Sequence, residues 1–254
     1  MATSTSHLTI LTGASRGMGL AMAEQLLDAG HALLCISRKT SDALAARAQS
    51  RGALLEQWPH DLSRGDVVAA KLETWLAARD PAGLASVTLI NNAGMIPAIA
   101  PLGDIPAPDL AQALRVGLEA PMLLTGAFLR ATAGWRCERK VLNISSGLGR
   151  RPMASQAAYC AAKAGMDHFT RCVALEEAQR PNGAGVTSLA PGVIDTDMQV
   201  QLRSADPGRF PDIGNFQGLK AQGMLTSPAE AASRVLAVLA RPDFGSNPVT
   251  DVRG

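Results

Sequence analysis

The feature that most constrains the fold is an alternation of short apolar runs with longer stretches of helical periodicity. The runs predict strands at 8–11, 32–36, 54–58, 87–90, 140–144, 185–189 and 248–252. The stretches between them predict helices at 17–29, 42–49, 66–78, 108–130 (bent near Pro121), 155–178 and 228–239. Such alternation is typical of parallel strands joined by crossover helices. The sequence therefore predicts an α/β fold, a doubly wound parallel sheet of about seven strands with helices on both faces.

No internal repeat or low-complexity linker divides the chain, so residues 1–254 are interpreted as one domain. A stretch rich in Gly, Pro and Asp over 191–226 predicts a loop region, and within it a lid over the binding site at about 193–226. In open parallel sheets the ligand lies beyond the carboxyl ends of the strands. Functional residues are therefore expected just after the strands.

Charge and cysteine usage exclude several classes of protein. Charged residues make up 18% and the net charge is +2, too little for a disordered chain or a nucleic-acid partner. The densest basic stretch, 136–140, is interpreted as a solvated rim before a strand. Neither a signal peptide nor a membrane span is predicted. The four cysteines, Cys35, Cys137, Cys160 and Cys172, lack metal-ligand spacing and are expected to be buried and reduced. We expect a cytoplasmic protein without a metal site.

A glycine-rich segment follows the first predicted strand, with Gly13, Gly17 and Gly19 in a G-x3-G-x-G spacing. Glycine there lets the backbone turn sharply and approach a pyrophosphate, which then faces the amides of the next helix. Alone the spacing is a weak signal, because ordinary strand–helix turns also contain glycines. Its place after the first strand of the series favours a dinucleotide site.

The end of the second strand indicates which dinucleotide binds. A carboxylate there would hold the ribose 2′-hydroxyl of NAD, but the residues are Ser37, Arg38 and Lys39. Arg38, helped by Arg16 of the glycine loop, is suited to pair with a 2′-phosphate. The alternative is a solvated loop end. The sequence predicts NADP(H) rather than NAD(H).

Tyr159, the only tyrosine of the chain, and Lys163 lie four residues apart on a predicted helix and therefore share one face. A nearby ammonium favours the phenolate and is expected to lower the tyrosine pKa. Ser145 and Ser146 follow the fifth predicted strand, where a hydroxyl can donate to a carbonyl oxygen. One of the two serines is expected to be structural. The Y-x3-K spacing alone is common, so only the combination of the tyrosine, the lysine and a serine indicates a catalytic site.

Together these motifs resemble the short-chain dehydrogenase/reductase family. The matching pieces are Thr12–Gly19, Asp61, Asn91–Gly94, Ser146, Tyr159, Lys163 and Pro191-Gly192, in family order and spacing. The resemblance covers nearly the whole chain and implies a single-domain Rossmann fold. It also implies that Ser146, Tyr159 and Lys163 are catalytic, with Tyr159 exchanging the proton of a carbonyl or alcohol. The implied cofactor-binding residues are Gly13, Ser15, Arg16, Gly17, Met18, Gly19, Ser37, Arg38, Asp61, Leu62, Asn91, Ala93, Gly94, Tyr159, Lys163, Pro191, Gly192, Val193 and Thr196.

Within this set, the resemblance implies that Asp61 accepts from the adenine amine, Asn91 touches a ribose and Thr196 contacts the nicotinamide carboxamide. A strand-stabilising role for Asn91 and a helix cap at Thr196 stay open. One residue departs from the family pattern: Gly117 stands where an asparagine usually supports a helix distortion and a water-mediated proton relay. Glycine leaves room for the same distortion but supplies no amide. Reduced but measurable turnover is expected.

A softer resemblance links 195–199 and the later Lys220 to sepiapterin and benzil reductases, which implies a ketone or dicarbonyl substrate. Asp251 is interpreted as a charged strand end rather than a substrate ligand. Five apolar residues, Leu148, Met153, Met198, Phe210 and Phe216, are candidates for a substrate pocket or for ordinary core. The favoured function is an NADPH-dependent carbonyl reductase. The alternatives are a 3-oxoacyl or sugar-alcohol dehydrogenase of the same family, or a low-activity NADP-binding sensor. The family also implies a homodimer or homotetramer built on the helices 108–130 and 155–178.

Overall fold

The computed structural model describes residues 7–253, which form one parallel sheet flanked by helices. The strands are β1 His7–Thr12, β2 Ala32–Ser37, β3 Leu55–Pro59, β4 Ser86–Asn91, β5 Glu138–Ile144, β6 Gly185–Ala190 and β7 Val249–Asp251. Their order across the seven-stranded sheet is β3-β2-β1-β4-β5-β6-β7, and every pair is parallel. The predicted fold class is confirmed, and each predicted strand lies within two residues of an observed one.

The helices are α1 Gly17–Asp28, α2 Asp42–Arg51, α3 Gly65–Ala77, α4 Ala107–Leu114, α5 Ala120–Ala131, α6 Ala157–Glu177, α7 Asp197–Arg203, α8 Ile213–Ala221 and α9 Pro228–Leu239. The helical stretch expected over 108–130 is present, as α4 and α5 joined by a π-helical turn that ends just before Pro121. One prediction was wrong here. The stretch 191–226 is not all loop, since it contains α7 and α8.

The break between α4 and α5 is a π-helical turn, Arg115–Glu119, with Gly117 buried at its centre. A Cβ on Gly117 would lie 3.2 Å from the Cβ of Ala162 on α6. Glycine therefore lets the wider turn pack closely against the helix that carries Tyr159 and Lys163. The distortion expected from the family pattern forms without an asparagine.

Side chains that alternate along the strands build a core on each face of the sheet. Ile10 and Leu89 face the core shared with α3, α5 and α6. Leu11 and Ile90, one residue further along, face the core shared with α1, α2 and α9. Buried on both faces, the strands read as continuous apolar runs, which is why the sequence pattern located them.

Two statements about solvent exposure need correction. Within the stretch 136–140, Arg139 is buried and its guanidinium lies 3.5 Å from the buried Glu177 carboxylate, so the stretch is not a simple solvated rim. Cys35 and Cys137 are buried as expected, but Cys172 is exposed and Cys160 is half-buried. Within residues 7–253, no helix has the length and apolar character needed to cross a membrane.

The strand order places the candidate site. The chain runs outward from β1 to β3, then returns to add β4 on the other side of β1. Connections after β1 and β4 therefore leave the sheet in opposite directions and open a crevice between them. The glycine loop after β1 and the Asn-Asn-Ala-Gly segment after β4 meet in this crevice.

Candidate active site

The glycine loop between β1 and α1 has a backbone that other residues would not adopt. Gly13 and Gly17 have φ values of +72° and +57°, in the left-handed region that favours glycine. A Cβ on Gly19 would lie 2.1 Å from the carbonyl oxygen of Gly13, which no side chain tolerates. The loop thus folds tightly onto the start of α1. Amides at a helix N-terminus attract anions, so this shape suits a pyrophosphate.

Thr12 and Asn92, which lie at the ends of the neighbouring strands β1 and β4, brace this loop. The Thr12 hydroxyl accepts from the amides of Asn92 and Ala93, both at 3.0 Å. The Asn92 side-chain amide donates to the carbonyls of Thr12 (3.0 Å) and Gly13 (3.2 Å). Sequence reasoning assigned neither residue this role. The only signal was the position of both polar residues at the same edge of the sheet.

Two residues expected to touch the cofactor use their side chains within the protein. The Ser37 hydroxyl accepts from the Ala14 amide at 2.8 Å and so holds the glycine loop. The buried Asn91 amide donates to Asn143 (2.8 Å) and Thr125 (3.2 Å), which supports the strand-stabilising alternative for this residue. The Asn91 Oδ1 has no hydrogen-bond partner among the described residues.

Among the other predicted cofactor residues, Asp61 is exposed after β3, and its carboxylate accepts from the Ser63 amide at 2.9 Å. Leu62 is buried beside it. Thr196 precedes α7 but makes no side-chain cap; its hydroxyl donates to the Ile194 carbonyl at 3.5 Å. Thr196 therefore occupies the N-cap position of α7, as the alternative expected, but without a capping hydrogen bond from its side chain.

The two arginines predicted to bind a 2′-phosphate are exposed and follow neighbouring strands, Arg16 after β1 and Arg38 after β2. Arg16 already has a partner: its guanidinium lies 2.7 Å from the carboxylate of Asp197, the first residue of α7. Next to this ion pair, a Cβ on Gly17 would lie 3.5 Å from Thr196. The glycine loop and the start of the predicted lid are thus in contact, which sequence reasoning did not anticipate.

The catalytic candidates meet between the end of β5 and α6. Lys163 is buried, and its ammonium donates to the carbonyl of Ile144 at 2.7 Å, next to the serines that follow β5. The same nitrogen lies 5.8 Å from the centre of the Tyr159 ring. The phenol is close enough to the Ser146 hydroxyl for a hydrogen bond to lower its pKa. Ser146, Tyr159 and Lys163 therefore occupy one site.

The electrostatics of Tyr159 differ from the expectation. Burial raises its pKa to about 12, and the hydrogen bond with Ser146 opposes this rise only in part. Burial also lowers the pKa of Lys163 to about 8, against the opposing charge of Asp167. The expected lowering of the tyrosine pKa by Lys163 is not found for the protein alone, where burial is the main influence on the phenol. At neutral pH the phenol keeps its proton and the lysine its charge.

The remaining predicted cofactor residues lie near the carboxyl ends of the strands. A Cβ on the exposed Gly94 would lie 3.8 Å from the Lys163 ammonium, so glycine keeps the approach to that charge open. Gly192, at φ +84°, turns the chain after β6. Ser15, Ala93, Pro191 and Val193 lie in the same strand-end segments, whereas Met18 packs in the core shared with α1, α2 and α9. These segments and the glycine loop are the candidate cofactor cradle.

An apolar cluster covers the phenol. All five residues proposed for a pocket, Leu148, Met153, Met198, Phe210 and Phe216, pack in the same cluster as Tyr159, Ile96 and Leu202. Phe210 is fully buried, and its ring stacks on that of Phe216 with centroids 5.6 Å apart. The helices α7 and α8 thus present an apolar underside to Tyr159.

The segment that contains α7 and α8 is held to the rest of the protein both at its base, where it leaves and rejoins the strand ends, and at its tip, between the two helices. At the base, Asp195 pairs with Lys220 of α8 at 2.6 Å, and Thr226 exchanges main-chain hydrogen bonds with Val193 and Asp195. Near the tip, the Ser155 hydroxyl donates to the Arg209 carbonyl at 2.5 Å. Ser155 has a φ of +61°, unusual for a non-glycine residue, and lies four residues before Tyr159.

Asp251, the residue considered for a substrate amine, is engaged within the protein. Its carboxylate accepts from the Arg253 guanidinium at 2.7 Å and lies 4.0 Å from Arg150. These contacts hold the pKa of Asp251 below its usual value, with the Arg253 hydrogen bond as the main cause. The interpretation as a charged strand end agrees with this environment.

A protonated phenol and an ammonium at the end of a dinucleotide cradle define a class of protein, an oxidoreductase that works with a nicotinamide cofactor on a carbonyl or alcohol group. The family model described as short chain dehydrogenase matches residues 7–207. The chain therefore belongs to the short-chain dehydrogenase/reductase family, as its motifs predicted.

Individual relatives agree with the softer resemblance. The chain is 33% identical over 235 residues to a benzil reductase ((S)-benzoin forming) of Bacillus cereus, covering 92% of this chain and 94% of the relative. It is 35% identical over 217 residues to the sepiapterin reductase of Xenopus laevis, with 80% of each chain covered. A metagenomic short-chain oxidoreductase solved in complex with NADP superimposes with a TM-score of 0.72 at 26% identity, covering 98% of this chain and 96% of the other.

Proposed function

We propose that the chain is an NADPH-dependent carbonyl reductase whose substrates are ketones or dicarbonyls with apolar flanking groups. The observation that carries this proposal is the position of the Tyr159 phenol: it lies near enough to Ser146 for that hydroxyl to lower its pKa, burial keeps it protonated at neutral pH, and an apolar cluster packs around it. A proton donor in an apolar chamber beside a nicotinamide cradle has the arrangement that carbonyl reduction requires.

When bound, the nicotinamide cofactor supplies the hydride for the carbonyl carbon. Tyr159 donates its proton to the carbonyl oxygen as negative charge develops there, and Ser146 donates a hydrogen bond to the same oxygen. Lys163, whose ammonium also donates to the Ile144 carbonyl, would hold the ribose hydroxyls of the bound cofactor, and its charge would favour the phenolate left on Tyr159 once the site is filled. The apolar cluster excludes water and so strengthens each of these interactions.

The preference for NADPH is supported by charge. Ser37, Arg38 and Lys39 follow β2 and include no carboxylate that would repel a 2′-phosphate. Arg16 and Arg38 are exposed on the two neighbouring connections. Structures of similar fold contain NADP in one case and NAD in another, so the proposal depends on these two arginines rather than on the fold.

The substrate class is supported by the cluster over Tyr159 and by the benzil reductase relatives, whose named substrate carries two adjacent carbonyls between apolar groups. We also propose that the segment 193–226 is the substrate lid, since α7 and α8 cover the phenol. A homodimer or homotetramer built on α4–α5 and α6 is proposed from the family pattern, and both elements carry exposed apolar residues, Met122 and Leu175.

The test is a panel of diketones and monoketones assayed with NADPH and NADH by loss of the reduced-nicotinamide absorbance. We expect turnover of benzil with NADPH, much weaker turnover with NADH, and a loss of about 10³-fold or more in Tyr159→Phe. Because Gly117 replaces the family asparagine, a second candidate is an NADP-binding sensor. A chain that binds NADPH tightly but reduces no carbonyl of the panel would favour that candidate.

A further inference from the structure

Gln156 is a buried amide that nothing in the site described so far uses. It is 1% exposed, and neither its Oε1 nor its Nε2 has a hydrogen-bond partner among residues 7–253. It is the only described side chain with two buried polar atoms left unpaired. Burial of an unpaired amide is costly, so a native protein that keeps one usually has a use for it.

The position of Gln156 relates it to the reacting groups. It is the N-cap residue of α6, and Tyr159 is the third residue of that helix, so both lie at its first turn. Its main chain is fixed on both sides, because its amide donates to the Met153 carbonyl and its carbonyl accepts from the Cys160 amide. Met153 and Tyr159 both pack in the apolar cluster under α7 and α8.

The chemistry of that cluster limits what the amide meets. The side chains around the phenol in this cluster are hydrocarbon or thioether groups, and the amide of Gln201 at its edge already donates to the carbonyls of Ile96 and Pro97. A substrate with one oxygen is satisfied by Tyr159 and Ser146. A substrate with a second carbonyl brings a second acceptor into an apolar space, and that acceptor needs a donor of its own.

We propose that Gln156 is a specificity-determining residue that binds the second oxygen of a dicarbonyl substrate. Its Nε2 donates to the carbonyl that is not reduced, while Tyr159 and Ser146 hold the carbonyl that accepts the hydride. This inference rests on the proposed carbonyl reductase function and deepens it. It explains why a polar side chain that gains nothing from the protein is retained beside the phenol.

The experiment compares benzil with deoxybenzoin, which has the same two rings but one carbonyl, in the wild type and in Gln156→Met. Methionine keeps the length of the side chain and removes the amide. We expect kcat/KM for benzil to fall about 10- to 100-fold, as expected when a hydrogen bond to substrate is lost. We expect kcat/KM for deoxybenzoin to change less than about threefold. Gln179→Leu, at an exposed glutamine after α6, is the matched control and leaves both values unchanged.

Thermal unfolding separates this role from a structural one. A residue that only supports the fold would lower both kcat/KM values together and lower the melting temperature in Gln156→Met, which would overturn the inference. The proposed role predicts a melting temperature that is unchanged or higher, because two unpaired buried polar atoms are removed. If wild type reduces benzil but Gln156→Met keeps the same preference for it, the inference fails and the carbonyl reductase function stands. If wild type reduces neither ketone, the function fails and the inference with it.

Discussion

Replacing Gly117 by asparagine is expected to raise the rate of carbonyl reduction. Gly117 lies at the centre of the π-helical turn between α4 and α5 and packs against Ala162, the residue before Lys163. The turn already has the distorted shape, so the substitution supplies the missing amide without requiring a new backbone. One added hydrogen bond in a buried site contributes about 1 kcal/mol, which corresponds to about a fivefold higher kcat.

Crowding is the opposing effect. The new Cβ would lie 3.2 Å from the Cβ of Ala162, closer than ordinary contact, so α6 must shift slightly. Crowding of this kind typically costs about 1–3 kcal/mol of stability, of which up to about 1 kcal/mol is recovered because glycine is lost from a helical segment. We therefore expect Gly117→Asn to unfold at a somewhat lower temperature while it turns over faster.

Gly117→Ala is the matched control, because it introduces the same Cβ contact without an amide. Steady-state kinetics with benzil and NADPH, together with thermal unfolding, are measured for wild type and both variants. We predict a smaller loss of stability in Gly117→Ala than in Gly117→Asn, because alanine is the better helix former, and a kcat of Gly117→Asn about fivefold above that of Gly117→Ala. Equal kcat values in two folded variants would refute the idea that an amide is missing from the proton relay.

Three further perturbations test the cofactor site. Gly19→Ala is expected to abolish measurable NADPH binding in fluorescence titrations, because its Cβ would overlap the Gly13 carbonyl; retained affinity would contradict the loop geometry. Arg38→Ala is expected to raise KM for NADPH about 10- to 100-fold and to leave KM for NADH unchanged, because a charge-assisted contact with the 2′-phosphate is lost. Asp197→Asn is expected to lower KM for NADPH up to about fivefold, because it frees Arg16 from an exposed ion pair. Because burial lowers the pKa of Lys163 to about 8, kcat/KM for reduction is expected to fall as pH rises through that value, where the ammonium loses its proton; a flat profile to pH 10 would oppose a role for that charge.

The strands could be predicted because most are apolar runs buried on both faces, and their parallel pairing because helices alternate with them; the order of the strands across the sheet was not predicted. The two helices over the site could not be predicted. α7 has only seven residues and α8 nine, and glycines and prolines around them resemble loop composition. What stabilises these helices is long-range, such as the contact of Phe210 with the cluster around Tyr159. The residues within α7 and α8 therefore do not by themselves predict these helices.

Some features of the candidate site could likewise be predicted from the sequence, and others could not. Motif spacing was enough to place Ser146, Tyr159 and Lys163 together, because each lies at a strand end or on one helix face. Partnerships across the sheet were not predictable from spacing. Asn92 supports Thr12 from 80 residues away, and Asp197 pairs with Arg16 from 181 residues away. Both contacts arise only when the carboxyl ends of the strands and the segment over them are assembled.

The charge state of Tyr159 depends on burial, which spacing does not report. On a solvent-exposed helix, an ammonium four residues from a phenol would favour the phenolate. Here the Lys163 ammonium donates to the Ile144 carbonyl, and burial raises the pKa of the Tyr159 phenol to about 12. In carbonyl reduction Tyr159 acts as an acid and gives up its proton, whereas oxidation of an alcohol uses its phenolate form. Burial alone raises the pKa of the phenol, so any lowering of that pKa must come from charge that the site acquires on binding.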